Sequence, residues 1–305
     1  MLSLLWFGTP TFVSVIVMGQ VDVFTVLFLL LSLIYVKRFY VALQKEAATS
    51  LKWLIASLIF FGISLQFKQY TLMILPLILV ICYLLCITNK VSKISASLML
   101  LISITLPTTL MFAPWVISPA GFKMMFLDRA SVIQSESAWL LFLYIAPQHL
   151  PPYHNISIFL LGYFIIIYLA LKDGENLSHR FETFIAYSFF VVSWFFITVY
   201  THPQWWVYIY LLIILVTDVY YNKKYLLLII IFNLVFMFYP MMWVNNIDRI
   251  LCYYMPIIPI DDFIERTILS TTIVSLLVIW MLEIYDDYKN YLITLKYKNL
   301  SSKSS

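Results

Sequence analysis

Apolar residues in this chain come in long unbroken runs, neither alternating as on a strand nor confined to one helical face. The runs cover about 2–18, 22–37, 52–67, 70–88, 94–116, 155–171, 183–200, 205–221, 225–242 and 266–284. A helix that is apolar all round belongs in a large protein core or in lipid. About 20 such residues cross a bilayer, and only a helix or a closed barrel satisfies its own backbone polar groups there. The pattern therefore predicts ten membrane-crossing helices. A further apolar stretch, 138–146, is too short to cross and runs into Pro147, Pro151 and Pro152; it predicts a helix that lies at the interface or re-enters.

Composition supports this reading. Of 305 residues, 63% are hydrophobic and 11% charged, and the mean hydropathy is +0.94. A soluble domain carries about 25% charged residues. Too few polar groups exist here to cover a surface in water, which excludes a soluble globular domain, a disordered chain and a collagen-like or disulfide-built scaffold. A net charge of +4 is too small and dispersed for a nucleic-acid footprint. Cys82, Cys86 and Cys252 show no metal-binding or disulfide spacing and read as small apolar residues. The expected fold is an all-α polytopic integral membrane bundle of about ten spans, one transmembrane domain over 1–305.

Lysines and arginines set the orientation. With the first span running outward, Lys37, Arg38, Lys45, Lys52, Lys90, Lys93, Lys172, Arg180, Lys223, Lys224, Lys289, Lys296, Lys298 and Lys303 share one side. Lys68, Lys123, Arg129, Arg249 and Arg266 fall on the other. The richer side is expected to be cytoplasmic, with both termini and a tail over 285–305. The opposite face carries two long loops, 117–154 and 243–265, rich in Trp, Tyr and Pro. Loops of that length are functional or disordered, and these are too aromatic for disorder. Any chemistry is thus expected on the extracytoplasmic face.

Three polar clusters fall at that face. Gly19-Gln20-Val21-Asp22 joins the first two spans; Gly19 permits a tight reversal, and Asp22 stands where a helix starts, as a cap or as a working carboxylate. Phe67-Lys68-Gln69-Tyr70 joins the third and fourth, ahead of Pro76. Lys68 breaks the positive-inside pattern, as a snorkelling amine or as a cation held to meet a phosphate. His202-Pro203-Gln204-Trp205-Trp206 joins the seventh and eighth. Its tryptophans fit an interfacial aromatic belt. His202 and Gln204 add a titratable ring and an amide beside flat aromatic faces, an inventory suited to gripping a sugar or its phosphate.

The order of these elements resembles the GT-C glycosyltransferases, multi-span enzymes that use polyprenyl-phosphate sugars on the extracytoplasmic or lumenal face. The likeness rests on Pro10, Gly19-Gln20-Val21-Asp22, Lys37-Arg38, Lys68-Gln69 and Pro76, and on His202-Pro203-Gln204-Trp205 later in the chain. It is strongest over residues 8–80 and with the bacterial mannosyltransferase-like members. Residues 90–200 and 220–305 match in hydropathy alone. The resemblance implies transfer of a sugar from a polyprenyl-phosphate donor to a glycan or lipid-linked acceptor in a membrane, most simply a bacterial plasma membrane. In the family the catalytic carboxylate precedes the Gly-Gln-x-Asp region. Met1 here opens directly into an apolar run without a basic flank, which reads as an N-terminally truncated start.

Such a transfer needs a carboxylate to take the acceptor's proton, worth roughly 10²–10⁴-fold, and fixed positive charge for the departing phosphate. Lys68 is the first candidate for the phosphate and Arg129 the second. Gln20, Gln69, His202 and Gln204 would orient sugar or acceptor hydroxyls. Asp22 is the candidate for the catalytic role, by orienting Lys68 or an acceptor hydroxyl. Asp128, Asp261 and Asp262 are substitute bases or plain loop charges. No metal spacing and no cofactor motif occurs, so a metal-free mechanism is expected.

Other readings remain at this point. A polysaccharide polymerase or ligase would use arginines of a large outer loop, but 117–154 offers only Arg129. A lipid or sugar transporter would place polar sites near the midplane, often in repeated halves, and no repeat is visible. An inactive fragment or non-catalytic membrane partner is the third. Asn155-Ile156-Ser157 is a glycosylation sequon, relevant only in a eukaryotic secretory setting.

Overall fold

The computed structural model describes residues 22–45, 50–67, 69–88, 91–118, 154–198, 206–220, 223–238 and 262–301. Among them the regular elements are all helical and no strand occurs. In chain order they are α1 (Asp22–Gln44), α2 (Ser50–Phe67), a 3-10 segment (Gln69–Ile74), α3 (Leu75–Ile87), α4 (Lys93–Ile117) and α5 (His154–Lys172). There follow α6 (Gly174–His179), α7 (Phe181–Thr198), α8 (Trp206–Val219), α9 (Lys223–Phe238) and α10 (Asp262–Ser301). Val23–Gln44, Ser50–Phe67, Lys93–Ala113 and Phe181–Thr198 are long and apolar enough to cross a bilayer. Thr71–Ile87, Phe159–Lys172, Tyr208–Val219 and Lys224–Val235 are apolar but shorter. Over its described residues the protein is all-helical, and its apolar helices are those of a membrane-embedded protein. The run at 2–18 and the interfacial helix at 138–146 lie outside the described residues.

Local chemistry explains where the elements start and bend. The expected run over 70–88 is broken: a 3-10 segment to Ile74 precedes an α-helix with Pro76 in its first turn. A proline there has no N–H to give and its ring crowds the carbonyl four residues back, so the α-helix starts afresh beside it. Ser92 caps α4 by accepting from the Ser95 N–H at 3.2 Å. Within α4, Pro114 cannot donate to the Leu110 carbonyl. Gln66 of α2 supplies that bond instead, Nε2 to O at 2.8 Å, so a neighbouring helix satisfies the acceptor that proline leaves open. Gly62 allows the same two helices to meet closely: a Cβ there would stand 2.8 Å from that of Leu110.

The α1–α2 seam is a column of rings. Phe24 and Phe28 each stack on Phe67 at 5.8 Å, Phe28 on Phe60 at 6.3 Å, Phe60 on Tyr35 at 5.4 Å, and Tyr35 on Trp53 at 5.8 Å. Offset stacking at these distances adds about 0.5–1.5 kcal/mol per pair beyond area burial.

Helix α7 is the axis. It packs against α1, α3, α5, α6, α8, α10 and the 3-10 segment, and 83% of its span is buried. Phe184, Phe189 and Phe196 have no exposed surface. Over Gly162 of α5 lies the Trp194 indole, whose Nε1 donates to the Phe159 carbonyl at 3.0 Å. Around this axis, Trp280 of α10 and Phe232 of α9 meet edge to face at 6.2 Å. Cys82 is buried with its Sγ 3.5 Å from Ser103 Oγ, joining α3 to α4.

Candidate functional site

Helix direction sorts the residues into two ends. The start of α1 meets the finish of α2 through Phe24 and Phe67. Asp22, which opens α1, and Gln69, which opens the 3-10 segment, therefore lie at the same end of that hairpin. Just inside this end, Leu29, Thr71, Ile74, Val192, Phe196 and Tyr208 line a cavity of about 10 Å³. That is the room of a single water and no more. Thr71 Oγ1 lies 3.3 Å from Ser64 Oγ, and Ser64 donates to the Phe61 carbonyl at 2.7 Å. Because the cavity joins α1, the 3-10 segment, α7 and α8, the last turn of α7 and the first of α8 belong to this same end. The segment between them carries His202 and Gln204. Gln20, Lys68, Arg129, His202 and Gln204 themselves lie outside the described residues, as do Asp128 and Asp261; Asp262 is the first residue of α10.

The opposite end holds a different chemistry. Tyr40 of α1 donates to the Leu177 carbonyl of α6 at 2.6 Å, and Gln44 Nε2 to the His179 carbonyl at 3.1 Å. Tyr220 at the end of α8 donates to the Glu182 carbonyl at 3.1 Å. The Arg180 guanidinium lies 5.8 Å from the Tyr291 ring centre. Lys224 pairs with Glu283 and lies 3.5 Å from Asp287 Oδ2, and Tyr225 donates to the same Asp287 oxygen. Burial works against the charge on Lys224, but the two carboxylates outweigh it and hold the amine above its ordinary value.

Asp173 sits in the turn between α5 and α6. Its Oδ1 accepts from Asn176 Nδ2 at 2.6 Å, while Oδ2 is buried without a partner among the described residues. Burial raises its carboxyl above the usual range; the side chains of Asn176 and Tyr187 and the charge of Arg180 oppose that.

Several of these features escape a hydropathy reading. Helix α6 falls where a plain loop is expected; its signal is an Asp173-Gly174-Glu175 start, with an acid in the first turn and His179 in the last. Gln66 looks like one more polar residue near a span end until Pro114, 48 positions later, shows what it serves. Helix α1 runs past Lys37 and Arg38 to Gln44, because both side chains find aromatic faces and nothing in 38–44 breaks a helix.

No protein-family model matches this chain, and neither a curated protein nor a solved structure does.

Proposed function

We propose that this chain is a GT-C-like membrane glycosyltransferase, with about ten spans, both termini cytoplasmic, most simply in a bacterial plasma membrane. It moves a sugar from a polyprenyl-phosphate donor to a glycan or lipid-linked acceptor on the extracytoplasmic side. One observation supports the reading: the start of α1, the finish of α2 and the last turn of α7 lie at one end of the bundle, and in sequence they neighbour Gly19-Gln20-Val21-Asp22, Lys68-Gln69 and His202-Pro203-Gln204.

In the reaction the acceptor hydroxyl loses its proton to a carboxylate as its oxygen attacks the anomeric carbon. The bond from that carbon to the phosphate oxygen breaks, and polyprenyl phosphate leaves. Lys68, backed by Arg129, meets the negative charge that grows on the leaving oxygen. Gln20, Gln69, His202 and Gln204 fix the hydroxyls, and Asp22 orients Lys68 or the acceptor. Positioned charge of this kind contributes roughly 10²–10³-fold in rate.

The test uses the full chain in proteoliposomes with radiolabelled polyprenyl-phosphate sugars. Lys68→Ala is expected to lower release of polyprenyl phosphate by roughly 10²-fold or more and to leave insertion intact. Wild-type release by that variant removes Lys68 from the mechanism. Absence of release by the unaltered chain, across hexose donors, overturns the transferase reading. Cysteine labelling that puts positions 20, 68 and 202 in different compartments overturns the shared face.

A further inference from the structure

At the basic end of the α1–α2 hairpin the ring column finishes under a cation. The Arg38 guanidinium carbon lies 5.2 Å from the Tyr35 ring centre and 5.1 Å from that of Trp53. Lys52 Nζ lies 4.9 Å from the same Trp53 ring. Both cations are exposed, and both rings are half-buried. Among the described residues neither cation has a carboxylate partner or a hydrogen-bond acceptor; the two ion pairs found there involve Lys224 alone. The segment 37–52 carries Lys37, Arg38, Lys45 and Lys52 against one acid, Glu46, which lies outside the described residues. Tyr35 is itself stacked on Phe60 at an interplanar angle of 7°, so the surface under Arg38 is a fixed wall.

This differs from a solvated run of lysines. A guanidinium held near aromatic faces by cation–π attraction keeps its N–H donors, a fork that grips two phosphate oxygens at once. Beneath Arg38 the same face of α1 continues as exposed apolar surface: Ile34 is one turn back, and Leu27 two turns further. In a membrane-embedded chain that strip faces acyl tails. A headgroup phosphate at Arg38 would therefore place its own chains along Ile34 and Leu27.

We infer that the corner formed by Tyr35, Arg38, Lys52 and Trp53 is a binding site for the phosphate of an anionic glycerophospholipid. Arg38 supplies the fork, Lys52 the second charge, Trp53 the platform that holds both, and α1 the track for the acyl chain. The site is separate from the transferase reading and requires only that the chain be embedded in lipid.

Native mass spectrometry of the full chain in detergent, titrated with phosphatidylglycerol or phosphatidylcholine, tests it. The chain is expected to retain phosphatidylglycerol at least tenfold over phosphatidylcholine. Arg38→Gln and Lys52→Gln should each lower that retention about fivefold, the effect of about one interfacial charge. Lys93→Gln and Lys172→Gln, at the same end but away from the rings, should not lower it. Arg38→Lys, which keeps the charge and loses the fork, should fall below wild type while Lys52→Arg holds; this pair reads the site even if a neutral variant elutes as a misfolded protein. Equal loss in Lys93→Gln would make the attraction diffuse and overturn the site. So would unchanged retention in Arg38→Gln/Lys52→Gln, or complete displacement of the lipid by excess inorganic phosphate, which would point to a free-anion site.

Discussion

Helices α4 and α7 are alike in apolar character and opposite in use. The spanning stretch of α4 has a mean hydropathy of 1.8 and is 28% buried; that of α7 has 1.5 and is 83% buried. In water the more apolar helix would take the centre. In lipid it gains nothing by moving inward, because acyl chains solvate leucine as well as other leucines do. What earns α7 its position is shape: Phe184, Phe189 and Phe196 fill the space between neighbours, and α5 offers Gly162 as a seat for Trp194. On α4, Ile94, Leu98, Leu101 and Ile104 face outward and touch little. Packing, not hydropathy, separates an axis from a wall.

That contrast can be broken most forcefully by matched truncations. Phe196→Ala removes a fully buried ring from α7 and should destabilise the protein by about 3 kcal/mol, the low end for a buried phenylalanine, since lipid rather than water is the alternative surrounding. Leu101→Ala on α4, 57% exposed, should change stability by no more than about 0.5 kcal/mol. Melting temperatures in one detergent, measured side by side, check the pair; similar losses would make burial irrelevant to the ordering. Gly162→Val comes next. Even a Cβ there would stand 2.1 Å from the Trp194 ring, so α5 or the indole must shift at about 2 kcal/mol. A red shift of the Trp194 contribution to the emission alongside a lower melting temperature is the expected readout, with Trp194→Phe as the spectral reference.

The smallest effect is at the basic end. Asp173 is raised by burial, so its neutral form is the one the fold prefers. Its contribution to stability is full below the ordinary carboxyl range and is lost as pH climbs through the raised native value. Asp173→Asn mimics the neutral form and keeps an oxygen for Asn176. It should raise the melting temperature at pH 7–8 by about 1–2 °C, and the difference from wild type should close as pH falls below the carboxyl range. A variant less stable than wild type at pH 8 would mean that the charge is wanted there.

Runs of apolar residues were enough to find helices at the nine expected places that the described residues reach, four of them long and apolar enough to cross a bilayer, because a backbone in lipid has few options. Their ends were less legible. Nothing before Lys37 reveals that α1 continues to Gln44; besides the aromatic faces met by Lys37 and Arg38, Tyr40 reaches a carbonyl 137 positions away. The 3-10 start of the fourth run could be anticipated from Pro76, whose effect is local. The candidate site divides in the same manner. That Asp22 and Gln69 share an end follows from counting spans, and the Phe24–Phe67 contact places them so. The Arg38 corner was hidden, since a guanidinium beside two rings, one of them on the next helix, looks in sequence like any basic residue.

Helix α10 has 40 residues, which at 1.5 Å each makes a rod of about 60 Å, roughly twice the thickness of a bilayer's hydrocarbon core. Only part of it is apolar, and its lower half is clamped: Tyr187 and Tyr220 meet Tyr288 edge to face, and Lys224 holds Glu283. A spar anchored so firmly at mid-length cannot tilt without dragging α7 and α9 along. Any displacement of α10 is therefore passed to α7, the axis of the bundle.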